Sequence, residues 1–188
     1  MKNYETEVKF KIENSQKLKE KLIQLGAVRK GETFEENFCF DTSDRIFYHG
    51  DKLMRLRKDA KGITLTFKGA KEFKGKIKKR EEVEVKLNDF DNMKVILERL
   101  GLSVFRIYEK KRETFIYNQT EIVLDLIPFI GNHLKIEGAE GKILETIKLL
   151  GLREEEALTY TYGQLAEEWF KKGYPLTFEE EKKHQNAR

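Results

Sequence analysis

Apolar and ionic residues alternate along stretch after stretch of this chain, and the ionic side carries charges of both signs. In residues 4–12 one face is Glu5, Glu7, Lys9 and Lys11, and the other is Tyr4, Thr6, Val8, Phe10 and Ile12. A period of two marks a half-buried β-strand, because successive side chains leave opposite faces of a sheet. The pattern recurs. Arg55 and Arg57 oppose Met54 and Leu56, while Thr64, Thr66 and Lys68 oppose Ile63, Leu65 and Phe67. Residues 76–87 set Lys78, Arg80, Glu82, Glu84 and Lys86 against Ile77, Val83, Val85 and Leu87. Residues 104–117 set Arg106, Lys110 and Arg112 against Phe105, Ile107, Phe115 and Tyr117. Val123 and Asp125 alternate with Ile122, Leu124 and Leu126, and Lys135 and Glu137 flank Ile136.

Two architectures satisfy strands that are apolar on one side and ionic on the other. An open antiparallel sheet turns its charged face to water and its apolar face to helices. A closed barrel turns the charges inward and packs helices outside. Bases outnumber acids on these faces, so a closed interior repels itself when empty and attracts a polyanion with its counter-metal. Rows of carboxylates hold hard divalent cations through oxygen, and ammoniums beside them hold the anion that shares the cation.

Between the strands lie helical patterns over 15–25, 89–100, 140–150 and 160–172. Asn14 or Ser15 and Asp89 are suited to cap the first two. Gly26, Gly101 and Gly151 each follow a Leu and stop a helix. These Leu-Gly ends hint at a duplicated layout. Residues 69–75, with Lys71, Lys74 and Lys76, read as a basic hairpin loop that is either a lid over an anion or a solvated turn. The chain divides into residues 1–175 as one domain and 176–188 as a polar tail, frayed or a short surface helix. Cys39, the single cysteine, follows Phe38 and precedes Phe40 in sequence and is expected to be packed rather than reactive. The surplus of Glu and Lys, with two Pro, leans towards a heat-adapted protein.

The signature Glu5-x-Glu7-x-Lys9 resembles that of the CYTH family, the triphosphate tunnel metalloenzymes, and the resemblance extends over nearly the whole chain. Leu53-Met54-Arg55-Leu56-Arg57 looks like the family's Leu-x-Arg-x-Arg strand, and Thr64 to Gly69 is similar to its lysine strand. Lys78-x-Arg80-x-Glu82-x-Glu84 resembles its central strand. Lys110-x-Arg112, Asp125 and Glu137 fall where later tunnel residues are expected, and Thr161-Tyr162 resembles the family's C-terminal Ser-Tyr. The resemblance implies an α+β fold, an eight-stranded antiparallel β-barrel forming a tunnel with helices packed outside. It implies Mg²⁺ or Mn²⁺ and a small molecule bearing a triphosphate, ATP or tripolyphosphate. Carried over, Glu5, Glu7, Asp125 and Glu137 bind metal. Lys9, Arg55, Arg57, Lys68, Lys78, Arg80, Lys110 and Arg112 grip phosphate oxygens. Glu5, Glu7, Lys9, Arg80 and Glu84 are the catalytic set, with Glu82 and Glu84 supporting the metal ligands or orienting basic neighbours. The implied activity is that of a class IV (CyaB-type) adenylyl cyclase, converting ATP to cyclic AMP and pyrophosphate. A triphosphatase is the alternative.

Departures from the family pattern sharpen the reading. Where the last tunnel strand usually carries Glu-x-Glu, this chain has Lys135-Ile136-Glu137, and Thr159 stands where an Arg often precedes the Ser-Tyr. The ammonium in place of a carboxylate removes one possible metal ligand and keeps a non-catalytic polyphosphate binder in play. His49, His133 and His184 lack zinc-ligand spacing, and no phosphate-binding glycine motif occurs. A net charge of only +4, with acids interleaved among the bases, argues against nucleic acid. No signal peptide or membrane-length apolar run is present in the sequence, so a cytoplasmic protein is expected, with a homodimer through an outer strand or helix as a further expectation.

Overall fold

The computed structural model describes residues 4–186. In chain order its elements are β1 (Tyr4–Lys11), α1 (Ser15–Gln24), β2 (Val28–Asp41), α2 (Ile46–His49), β3 (Leu53–Asp59), β4 (Gly62–Lys74) and β5 (Ile77–Leu87). They continue with α3 (Phe90–Arg99), β6 (Ser103–Tyr117), β7 (Thr120–Ile127), β8 (Gly131–Glu137), α4 (Glu140–Leu149), α5 (Tyr162–Leu165), α6 (Glu167–Lys171) and α7 (Phe178–Asn186). The strands close into a barrel in the order β1-β5-β4-β3-β2-β6-β7-β8, each pair antiparallel. Of the two architectures the alternation allows, the closed one is adopted. Closure leaves no free sheet edge and turns every ionic face inward.

The hydrophobic core therefore lies outside the barrel, between its outer wall and the helices. Val8, Phe10, Phe115, Ile122, Leu134 and Ile136 pack under Leu22 of α1 and Ile143 and Ile147 of α4. Phe40 and Leu56 pack under Leu97 of α3, with Phe38 and Phe90 edge-on at 5.0 Å. Ile127, Ala166 and Leu176 form a third cluster under the C-terminal segment. The expected caps are used: Asn14 accepts from the Lys17 amide and Asp89 from that of Asn92. Gly26, Gly101 and Gly151 take the left-handed conformation (φ 82°, 83° and 68°) that ends each helix at little steric cost.

Two expectations are revised and one element is added. Residues 28–41 form a full strand, β2, which pairs along its length with β6. The helix expected over 160–172 is two short pieces. Thr161 makes a capping box with Gln164, and the chain breaks again at Ala166. Residues 69–75 are not a loop: β4 runs to Lys74 through a bulge after Lys68, and only the tip at Gly75 turns. The tail takes the second form expected for it, a surface helix. Its His184 lies against Trp169, Tyr174 and Phe129, and Phe129 N–H donates to Glu181 at 2.7 Å.

Candidate active site

One cavity of about 900 Å³ runs into the barrel, and the ionic faces of the strands line it. Glu5, Glu7 and Lys9 come from β1, Arg55 and Arg57 from β3, and Lys68 from β4. Lys78, Arg80, Glu82 and Glu84 come from β5, Lys110 and Arg112 from β6, and Lys135 and Glu137 from β8. Of the residues expected to bind or act, only Asp125 is not part of this lining. It is buried inside the barrel, covered by Arg112, which it binds. Period-two alternation turns these groups inward, and closure of the barrel brings them together.

The charges sort into three groups. In the first, Glu5, Glu7 and Glu137 bring carboxylate oxygens within 4.8 Å of one another. Lys135 stands among them, 3.1 Å from Glu5, 3.4 Å from Glu7 and 2.6 Å from Glu137. Lys68 bonds Glu5 at 2.6 Å, and Lys9 and Lys78 both bond Glu7. Burial pushes the Glu5 and Glu7 carboxyls up, but Lys135 and Lys68 for Glu5, and Lys9 and Lys135 for Glu7, outweigh it and hold both well below the usual range. Burial takes the Lys78 ammonium down to about 7, and Lys9 beside it acts in the same direction.

The second group joins β2, β3, β6 and β7. Arg112 grips Asp125 with two bonds of 2.7 and 2.8 Å, and the Tyr162 hydroxyl donates to the same carboxylate at 2.9 Å. Glu35 forms ion pairs with Lys110 at 3.1 Å, Arg57 at 3.2 Å and Arg112 at 3.4 Å. Burial opposes ionisation of Glu35, yet these cations, Lys110 foremost, hold it at about 2. Lys110 itself is pushed down to about 7 by burial and by Arg112. In the third group Thr66 receives a bond from Arg55 at 3.1 Å and donates to Glu84 at 3.0 Å. Buried Arg55 keeps its Nε without a hydrogen-bond partner among the described residues. Arg80 is held to the backbone carbonyls of Gly69 (2.6 Å) and Asp51 (2.8 Å).

Several tunnel residues escaped the reading of the sequence. Glu35 and Asn37 sit on the inward face of β2, where Thr33, Glu35, Asn37 and Cys39 alternate with Phe34, Phe38 and Phe40. An outward Glu36 and the bulge at Gly31 mask that rhythm. Cys39 is packed as expected, but on the tunnel face opposite the two phenylalanines, and burial pushes its thiol up to about 11. One mouth is aromatic: Arg106 lies over Tyr48, Phe105 and Phe170 at 4.8, 5.1 and 4.7 Å and pairs with Glu167. Tyr162 projects from α5 over Lys9, its ring 5.1 Å from the ammonium, so the C-terminal segment forms part of the wall. Lys71, from the hairpin strand, pairs with Asp51 at 2.9 Å and also lines the cavity. His133 is buried against Tyr162 at 5.2 Å, away from the carboxylate group.

The oxygens of Glu5, Glu7 and Glu137 are hard donors of the kind Mg²⁺ and Mn²⁺ prefer, so the donor set fits such an ion. The Lys135 ammonium shares their space. Among the described residues no helix is long and apolar enough to cross a membrane.

A protein of Methanocaldococcus jannaschii, provisionally named an adenylate cyclase, is 33% identical to this chain over 146 residues, 78% of this chain and 83% of the relative. A solved Pyrococcus horikoshii protein is 26% identical, covering 86% of this chain and 98% of that one with a TM-score of 0.75. A Hippeastrum protein, provisionally an adenylyl cyclase and described as revealing a dominant triphosphatase activity, shares the fold at a TM-score of 0.67. It is 14% identical, with 92% of this chain and 97% of that one covered. The family model of the CYTH domain matches residues 3–174, the whole barrel and the segment that closes it, and the chain belongs to that family.

Proposed function

We propose that this chain is a metal-dependent enzyme that holds a triphosphate inside the barrel, and that its reaction is the adenylyl cyclase one. The observation that carries the reading is the inward ring of Arg55, Arg57, Lys68, Lys78, Arg80, Lys110 and Arg112 around one cavity, with a cluster of three carboxylates on its wall. Most of these cations are paired with acids, but bases outnumber acids in the lining, and the Nε of Arg55 has no acceptor among the described residues. Arginine forks suit bridging and terminal phosphate oxygens, and lysines add compact charge.

In this reading Arg55, Arg57 and Arg112 fix the phosphate chain, while Lys9, Lys78 and Arg80 neutralise it where charge develops. Glu84 acts through Thr66 to hold Arg55. Glu5, Glu7 and Glu137 would hold Mg²⁺ or Mn²⁺, which supplies charge neutralisation on the bridging and leaving oxygens. The ribose 3′-oxygen bonds to the α-phosphorus, and the bond from that phosphorus to the α–β bridging oxygen breaks. Pyrophosphate leaves with the electron pair, and the hydroxyl proton passes to a base. Holding the hydroxyl in line with the leaving oxygen is the main demand on the protein. The aromatic mouth of Tyr48, Phe105 and Phe170 offers a face for a base, and the Methanocaldococcus relative's provisional name points the same way.

Hydrolysis is the second reading, favoured by a smaller cavity of about 240 Å³ at the other end of the barrel. It shares Arg57, Glu84, Arg112 and Glu121 with the first and would give water a route to the far end of the phosphate chain. Incubation with ATP and Mg²⁺ or Mn²⁺, with chromatographic separation of products, tests both. Cyclic AMP with pyrophosphate is the expected result. ADP with phosphate, or cleaved tripolyphosphate, would make it a triphosphatase. Tight binding without turnover would reduce it to a polyphosphate binder, and neither binding nor turnover would sink the reading.

A further inference from the structure

Lys135 and Glu137 leave the same face of β8, two positions apart, and both reach the place where Glu5 and Glu7 arrive from β1. Cross-strand register sets Glu7 opposite Glu137 and Lys9 opposite Lys135. The Lys135 ammonium is buried and lies within 3.4 Å of an oxygen of each of the three carboxylates. Those carboxylates, whose oxygens gather within 4.8 Å, are the only such group among the described residues.

A divalent ion bound by these oxygens would sit about 2.0–2.6 Å from them. An ammonium already within hydrogen-bond distance of the same oxygens fills that volume and adds like charge beside it. The two cations exclude each other. Once displaced, the Lys135 ammonium would face Lys9, Lys78 and Arg112, three further cations of the tunnel. Apart from Glu121, opposite Glu137 on the β7–β8 ladder, its surroundings there are cationic, and a polyphosphate would bring several oxygens to it.

We propose that Lys135 is the tethered cation of the Glu5–Glu7–Glu137 cluster in the empty tunnel, and that a divalent ion takes the cluster only by displacing it, so that metal binding is coupled to the arrival of a polyanion. The displacement rests on the geometry of this chain alone. The coupling to a polyanion rests on the triphosphate reading. By linkage, the same coupling tightens anion binding when metal is present.

The experiment uses Mn²⁺ alone, with free ion followed by electron paramagnetic resonance and thermal melting recorded in parallel. The intact wild-type chain is compared with Lys135→Met and with Lys135→Arg, which keeps the charge. Lys135→Met is expected to bind one Mn²⁺ about tenfold more tightly than wild type or more. It is also expected to melt lower in chelator and to regain stability with Mn²⁺, whereas Lys135→Arg behaves as wild type. Adding Glu5→Gln to Lys135→Met is expected to remove the gain, which locates the ion at the cluster. Equal Mn²⁺ affinity in wild type and Lys135→Met overturns the proposal.

Should Lys135→Met fail to fold, wild type and Glu7→Gln decide the matter. Little Mn²⁺ bound by wild type, and no change on removing the carboxylate, supports displacement. Tight binding by wild type that Glu7→Gln abolishes overturns it. Tripolyphosphate binding in chelator is measured on the same samples, so failure of the triphosphate reading and failure of the Lys135 displacement are told apart.

Discussion

Arg112 and Asp125 face each other across the β6–β7 ladder and form a two-bond fork of 2.7 and 2.8 Å inside the barrel. Both carboxylate oxygens are engaged, one of them also by Tyr162. Asp125 thus serves as the anchor that aims Arg112 into the cavity, apart from the carboxylates gathered around Lys135. Asp125→Asn is expected to destabilise the fold by on the order of 3 kcal/mol, the usual cost of stranding one member of a buried ion pair. The loss of melting temperature should be as large in chelator as in Mn²⁺. A loss seen only with metal present would instead make Asp125 a metal ligand.

Arg55 carries a spare donor. It makes one good side-chain bond, to Thr66, and its Nε has no partner among the described residues. Arg55→Met should weaken tripolyphosphate binding about tenfold or more, since charged hydrogen bonds are worth about 1.5–3 kcal/mol. Melting in the absence of ligand should change far less. Calorimetric titration alongside melting separates the two effects, and unchanged affinity would remove Arg55 from the binding set.

Lys110 makes binding depend on pH. Burial and Arg112 bring its ammonium to about 7, against an unfolded value of 10.5. Between these two values the unfolded chain binds more protons, so this group's penalty on folding is relieved as pH rises through 7. Anion binding runs the other way, because it needs the proton that is being lost. Wild-type affinity for tripolyphosphate should fall relative to Lys110→Met by up to about tenfold per pH unit above 7. Parallel pH profiles for the two proteins would contradict this.

Cys39 lines the tunnel but is buried, and its thiol is held at about 11. The thiolate is the reactive form, so alkylation at mildly alkaline pH should be slow in the native protein and become rapid on unfolding. Mass spectrometry after a timed iodoacetamide pulse reads this directly. Fast native labelling would mean that the β2 wall opens.

The inward faces of β1, β3, β4, β5, β6, β7 and β8 were legible because alternation survives burial: ionic or polar side chains recur at every second position of most of these strands whatever the register. Strand β2 was not, since Glu36 points outward and Gly31 bulges, and a single misplaced polar residue hides a period of two. The replacement at Lys135 was visible as a residue type. Its place amid three carboxylates depends on the pairing of β1 with β8, which no local pattern encodes. The role of Asp125 turned on the same kind of information, the β6–β7 register that sets it opposite Arg112. The split of the C-terminal helix at Ala166 follows from tertiary contacts: Ala166 is fully buried, and Tyr162 is drawn over Lys9. Helical periodicity carries no record of either.

A crystal structure with tripolyphosphate and Mn²⁺, with the ion located by anomalous scattering, tests the central claim most directly. The expected result is a phosphate chain inside the barrel against Arg55, Arg57 and Arg112, an Mn²⁺ peak at Glu5, Glu7 and Glu137, and the Lys135 ammonium moved off that cluster onto phosphate oxygens. A polyphosphate bound only on the outer surface, with the tunnel ion pairs unchanged, would contradict it.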